Sequence, residues 1–262
     1  MNDYETVRIQ RDGDVLIATL DRPDSALNAV DGQMHHDLTR LFADLKAEES
    51  ARAVLLTGSG NVFSAGGDFN WFPDMQDEAK LAALHEDARS LIYDLLDVDL
   101  PIVAALNGPA VGLGASIALL CDVVVMAEDS MISDPHVRMG IVAGDGGTVA
   151  WPMALGPMLA KRFLLTGDPV TASEAFRLGL AAMVVPSDEL LPAALGHAHR
   201  LAAGAPLAVQ YTKRAINAWI KQVAATSFDL ATSLEIDTFR SADHQEALAA
   251  WRQKRPPQFE GR

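Results

Sequence analysis

The sequence predicts an α/β protein in which parallel strands alternate with helices and a helical stretch closes the chain. Three observations lead there. Short apolar runs at 53–57, 102–106 and 123–127 read as buried strands, and amphipathic patterns at 31–47 and 77–96 stand ahead of the first and second of them; strands separated by helices imply crossover-connected parallel pairs. Twice a strand feeds a glycine-rich turn, FSAGGDF at 63–69 and NGPAVGLGAS at 107–116. Beyond Gly144 the chain turns rich in Ala and Leu and reads as mostly helical.

Taken in order, residues 7–11 and 15–20 alternate around Asp12-Gly13, a hairpin pattern with a type I′ turn. In 31–47, Met34, Leu38, Leu41, Phe42 and Leu45 recur at helical spacing behind Asp31, a capping residue type. Strand 53–57, the first glycine turn and helix 77–96 follow, then strand 102–106, the second turn, a helix from about Ala115, and strand 123–127. Helices are expected at 148–165, 172–178, 187–204, 206–225 and 235–251, interrupted by a short strand at 183–185 and stopped by Pro256-Pro257. No internal repeat or low-complexity linker stands out.

A chain of 262 residues with 49% hydrophobic content has enough apolar surface for one large domain. Its 35 acidic against 21 basic residues give a net charge of −14, which argues against nucleic acid or an anionic membrane as partner. An anionic ligand would need a local basic patch, for which Arg22, Lys254 and Arg255 are candidates. Cys121, the one cysteine, sits among Leu119, Leu120 and Val123 and reads as a buried structural thiol. The acidic N-terminus does not read as a signal peptide and no apolar run is long enough to span a bilayer, so a cytoplasmic location is expected. His35 and His36 lack neighbouring ligands in the sequence, and no metal site is expected.

The two strand–glycine–helix segments carry the chemistry. A helix that begins at such a turn presents backbone N–H groups with no intrahelical acceptor, and these suit an oxyanion or a phosphate. Whether the two turns meet is not legible in the sequence.

The pair FSAGGD and NGPAVGLGASIALLCD resembles the paired segments of the enoyl-CoA hydratase/isomerase (crotonase) superfamily. LDRPDSALNAV (20–30), GIVAGDGGT (140–148), LLTGDPVTASEAFRLGLAAMVVP (164–186) and KRPPQF (254–259) match in the family's order, so the resemblance spans nearly the whole chain. It implies a spiral of ββα units over 1–200 and a helical C-terminal region, 201–262, that packs homotrimers or dimers of trimers. It also implies an oxyanion hole from the backbone N–H groups of Gly67 and Leu113 and a CoA-binding surface at Arg22, Ser25, Ala26, Leu27, Ala65 and Gly66. The substrate would be an acyl-CoA thioester, with coenzyme A entering as part of the substrate and no covalently bound cofactor. Trp71, Phe72 and Ser116 would line the acyl pocket.

The resemblance also exposes a departure. The two glutamates of enoyl-CoA hydratases align with Ser116 and His136, neither of them a carboxylate. A serine hydroxyl is no base at neutral pH without a partner, whereas histidine can exchange a proton there. His136 with Asp145, in PHVRMGIVAGDGG, is similar to the 6-oxocamphor hydrolase branch, which cleaves β-diketones by retro-Claisen chemistry. That branch's acidic residue in the helical region falls on Glu235 by ungapped spacing, and its other histidine falls on Leu113. Read from the residues alone, Asp145 equally suits a cap for the helix after Gly147, and Glu235 reads as a solvated helix charge. Asp68 is expected to brace its turn. The readings are thus an acyl-CoA enzyme with His136 as acid/base, Asp145 as its partner or a second acid/base and Glu235 as a third catalytic candidate, a β-diketone hydrolase using the His136/Asp145 dyad, or a CoA-ester-binding protein without turnover.

Overall fold

The computed structural model describes residues 3–262. The hairpin forms from β1 (Val7–Asp12) and β2 (Val15–Leu20), antiparallel with Asp12 opposite Val15. Its tip is Gly13-Asp14, and only Gly13 has positive φ, at 59°. A type I′ turn needs positive φ at both central residues, so the expected turn type is corrected to a glycine-first, two-residue loop. Then come α1 (Gly32–Lys46), β3 (Ala53–Gly58), α2 (Glu78–Asp97), β4 (Ile102–Leu106), β5 (Ala110–Val111), α3 (Leu113–Leu120), β6 (Val123–Ala127) and β7 (Met131–Ser133). The chain continues through α4 (Gly147–Thr166), β8 (Val170–Thr171), α5 (Ala172–Leu178), β9 (Met183–Val185), α6 (Leu190–Ala202), α7 (Pro206–Phe239) and α8 (Ala242–Gln253).

The main sheet has the order β1-β2-β3-β4-β6-β9, parallel throughout except for the hairpin. Every residue of β3 and β4 is buried, as expected of parallel strands covered on both faces. Period-two alternation divides them. Leu55, Val103, Ala105 and Val125 pack against Leu190, Ala194 and Ala198 of α6, whereas Val54, Leu56 and Ala104 join Leu38, Phe42 and Leu91 of α1 and α2. Asp31 and Asp77 cap α1 and α2 through their carboxylates, which fixes where each helix begins.

The second sheet, β5-β7-β8, escaped the sequence reading because its strands are two or three residues long. Two helical expectations are also corrected. The segment 148–165 is not one continuous helix, since Gly156 is extended with positive φ (74°, ψ 159°) and divides it ahead of Pro157. Helices at 206–225 and 235–251 are instead a single 34-residue α7 followed by α8, with the break at Arg240-Ser241, where Ser241 caps α8. No Gly or Pro interrupts 207–239, so nothing in the chain stops the helix there. Cys121 is buried as expected.

Candidate active site

The site lies at the carboxyl ends of β3 and β4, where both glycine turns emerge. Ser64 and Ala110 pair as an isolated parallel bridge, and the Val111 N–H donates to Ser64 O at 2.9 Å. The turns therefore converge. Gly66 (φ 79°) and Gly112 (φ 54°) stand in contact, and a Cβ on Gly66 would fall 2.9 Å from Val111 O. Both the dihedrals and the close approach demand glycine at these two positions.

Val30 completes the arrangement. Its N–H donates to Gly66 O at 2.7 Å and its C=O accepts from Asp68 N–H at 2.8 Å. In such a parallel bridge the spanned residue, Gly67, turns its own N–H to the opposite side. Leu113 opens α3, so its N–H has no intrahelical acceptor. Gly67 and Leu113 both border one small cavity of about 60 Å³, together with Trp71, Phe72, His136, Asp145 and Glu235.

His136 sits on a short 3₁₀ turn, His136–Met139, between two carboxylates. Nδ1 lies 2.5 Å from Asp134 Oδ1 and Nε2 lies 3.2 Å from Asp145 Oδ2. Nε2 is also 3.8 Å from Glu235 Oε1. Ser116 Oγ donates to Asp145 Oδ1 at 3.1 Å and is wholly buried behind it, outside the cavity lining. The expected acyl-pocket role of Ser116 is therefore corrected: the hydroxyl aims one carboxylate oxygen and leaves the other to His136. Asp145 does not cap α4, whose N-cap is Gly146 with no side-chain bond. Glu235 is 7% exposed, so the solvated-charge reading fails; Thr232 and Thr238, on the same face of α7, bond Gly144 O and Val142 N and seat that face against the 142–145 loop.

Burial alone would depress the His136 pKa, but Asp145 and Asp134 overcome it and hold the ring well above its ordinary value, as the cation. For Glu235, burial raises the pKa well above the carboxylate range; the His136 charge opposes this and Asp145 and Asp134 add to it. One ligand atom each from Asp134, His136 and Asp145 lie within 4.8 Å of one another, a spacing that could hold a cation. To ligate one, His136 would have to release the proton its two carboxylates stabilise. The cluster is built to hold a proton, and the arrangement suits water chemistry beside a stabilised oxyanion.

The comparisons with known proteins agree with this geometry. The family model described as enoyl-CoA hydratase/isomerase matches residues 10–262. The chain belongs to the enoyl-CoA hydratase/isomerase family. It is 35% identical to the 2,3-dehydroadipyl-CoA hydratase of Escherichia coli K12 over 97% of this chain and 98% of that one. Among solved structures, an enoyl-CoA hydratase/isomerase from Mycobacterium paratuberculosis superposes with a TM-score of 0.90 at 38% identity, covering 95% and 99% of the two chains. A β-diketone hydrolase from the cyanobacterium Anabaena, bound to (S)-3-oxocyclohexyl acetic acid, superposes with a TM-score of 0.84 at 29% identity, covering 90% and 94%. The crotonase fold expected from the sequence is thus the fold of this chain.

Within this enoyl-CoA hydratase/isomerase chain, Arg22 differs from expectation. Its guanidinium meets Asp24 at 2.7 Å, Asp31 at 3.1 Å and Asp68 at 2.8 Å, and it donates to Ala29 O at 2.7 Å. Three carboxylates already surround this cation, so it braces the 22–31 loop and has no charge free for a phosphate. Asp68 also takes the Asn70 N–H, bracing its turn as expected. Ala26 and Leu27 are exposed, Ser25 half-buried, and Ala65 N–H donates to Leu27 O at 3.0 Å, which ties this loop to the first turn beside Gly66. Arg255 pairs with both oxygens of Glu246 and is likewise engaged, whereas Lys254 is exposed. Two site residues were not foreseen. Asp134 lies two residues before His136, and the Asp-Pro-His spacing was its signal. His35 borders the cavity from α1, where the sequence reading considered it with His36 only as a metal pair and set it aside. No helix among the described residues is long and apolar enough to cross a membrane.

Proposed function

We propose that this enzyme adds water to the double bond of an enoyl-CoA thioester, with Asp145 and Glu235 as the acid/base pair and His136 as the relay between them. The observation that carries the reading is the placement of two carboxyls on one cavity about His136 Nε2, Asp145 Oδ2 at 3.2 Å and Glu235 Oε1 at 3.8 Å, the latter with its pKa raised by burial. Two carboxyls in unlike surroundings on one cavity suit an acid and a base. Asp145 takes a proton from water as hydroxide attacks the β-carbon. The thioester oxygen gathers enolate charge against the N–H groups of Gly67 and Leu113, and Glu235 protonates the α-carbon. His136 then passes its Nε2 proton to Glu235 and recovers one from Asp145. The 3.8 Å separation from Glu235 needs only a small rotation in the occupied site. Each amide donor contributes about 3 kcal/mol to such a barrier.

The test follows the enone absorbance of crotonyl-CoA with the wild type, His136→Ala, Asp145→Asn and Glu235→Gln. Decay with the wild type and losses of about 10²–10⁴-fold in the variants are expected; decay indifferent to Asp145→Asn and Glu235→Gln overturns the assignment. The pH profile has a definite sign. Glu235 acts protonated, so kcat is retained below its raised pKa and lost as pH climbs through it, and Glu235→Gln abolishes that alkaline limb.

A second reading is carbon–carbon cleavage of a 1,3-diketone, favoured by the β-diketone hydrolase neighbour and by the neutralised Arg22. Here water adds to one carbonyl, the bond to the α-carbon breaks, the electron pair becomes an enolate on the amide pair, and Glu235 protonates it. Cleavage of 2,4-pentanedione without decay of crotonyl-CoA would select this reading. Binding of CoA esters with turnover of neither substrate would leave a carrier. We also propose that the chain acts as a homotrimer or dimer of trimers through the C-terminal helices, supported by the exposed Leu207, Tyr211, Trp219, Leu230 and Leu234 along α7, and that it resides in the cytoplasm.

A further inference from the structure

Behind the wall of the cavity lies a buried imidazole that borders no substrate space. His244, near the start of α8, is wholly buried and absent from the cavity lining. Its ring stands beside Phe72 and Phe239, which do line the cavity, with centroids 5.8 Å and 5.2 Å away. Nδ1 lies 2.8 Å from Met139 O, and Nε2 is buried with no hydrogen-bond partner among the described residues. A carbonyl only accepts, so Nδ1 carries the proton. Burial lowers the His244 pKa, the Met139 C=O opposing only in part, so at neutral pH the ring is uncharged and Nε2 is a bare acceptor. An unpaired buried acceptor costs about 1–3 kcal/mol. A phenylalanine or leucine would fill the same aromatic nest without that cost, but neither could supply the Nδ1 proton.

The bond made with that proton lands on the turn that carries His136. In His136–Met139 the Gly140 N–H closes on Val137 O and the Ile141 N–H on His136 O, both at 3.2 Å. Met139 ends the turn, so its C=O has no donor inside it, and His244 provides one. The two backbones also meet directly: Gly140 has φ 68°, and a Cβ there would fall 2.9 Å from His244 N. Ser241 Oγ accepts the His244 N–H at 3.1 Å, which fixes the histidine on its own helix. Arg138 also ties the turn down, to Thr166 O and Asp168, but that side chain is 53% exposed. His244 is the buried fastening.

We infer that His244 is a positioning residue which, through the Met139 C=O, holds the turn so that His136 Nε2 stands between Asp145 and Glu235. This rests on the reading of His136 as the relay. A turn released from α8 lets the imidazole drift from carboxylates 3.2 Å and 3.8 Å away. A misplacement of about 1 Å at reacting groups costs on the order of 10²-fold in rate.

The experiment begins with long-range proton–nitrogen NMR spectra of the wild type. His244 should appear as the neutral Nδ1–H tautomer; the Nε2–H tautomer cannot donate to Met139 O and overturns the inference. Two variants follow. His244→Phe keeps a ring in the aromatic nest without a donor, whereas His244→Asn places an amide N–H close to where Nδ1 stands. With crotonyl-CoA, His244→Phe is expected to lose about 10–100-fold in kcat with KM within about twofold, and to titrate His136 at lower pH. His244→Asn should restore most of both. Wild-type kcat and His136 titration in His244→Phe overturn the inference, and so does an equal loss in His244→Asn, which would mark a packing role. If His244→Phe does not fold, His244→Asn decides: near-wild-type behaviour supports the inference and loss of it overturns it. If the wild type leaves crotonyl-CoA unchanged, the proposed reaction falls, and the His136 titration in the variants still decides the role of His244.

Discussion

His136 is controlled by what touches it. Asp134 and Asp145 grip opposite ring nitrogens, and Gly112 lies beside the ring, where a Cβ would come within 3.2 Å of Cε1. Replacing Asp145 by Asn removes the charge that does most to raise the His136 pKa, so the imidazolium resonance followed by NMR should titrate at distinctly lower pH than in the wild type. Gly112→Ala places a side chain at positive φ and pushes on that ring. It should destabilise the fold by about 1–2 kcal/mol in a denaturant titration and reduce kcat well beyond what the stability loss explains. Part of this was legible: the register of PHVRMGIVAGDGG singled out His136 and Asp145. Asp134 escaped because an Asp before Pro also suits a plain turn. Glu235 looked like a surface charge because helical spacing does not reveal which face of a long helix meets a loop.

At the scale of elements, helices with a capping Asp and a clean apolar face were read within a residue or two, as α1 and α2 show. The two- and three-residue strands of the second sheet were not, because period two has no room to declare itself over so short a span. The length of α7 was missed for a different reason: its polar and apolar positions serve several neighbours in turn, so no single stripe runs its length. One anchor of α7 is Lys213, whose Nζ donates to Leu100 O at 2.8 Å and to Asp122 Oδ2 at 2.7 Å. Lys213→Met leaves Asp122 with only the Ile102 N–H. Because the Asp122 side chain is 25% exposed, the expected loss is about 2 kcal/mol, below the 3–5 typical of a fully buried pair, read as a lower urea midpoint at unchanged slope.

For the whole molecule, the meeting of the two glycine turns is the feature no local reading supplies. It depends on β3 and β4 lying side by side and on the bridge of Ser64 to Ala110, a tertiary contact between residues remote in sequence. The exposed apolar residues of α7 are expected to bury against other copies of the chain. Sedimentation of the wild type should then report a trimer or hexamer, and Trp219→Glu should shift it toward the monomer. On α7 Leu234 faces outward, 45% exposed, while the next residue, Glu235, faces the cavity at 7%. When copies associate over Leu234, they hold the backbone that carries the acid. If that hold shifts the Glu235 pKa, thermodynamic reciprocity requires the Glu235 proton to shift subunit association by the same factor. Diluting the enzyme would displace the alkaline limb of its rate profile, and raising the pH through that limb would change the concentration at which the assembly comes apart.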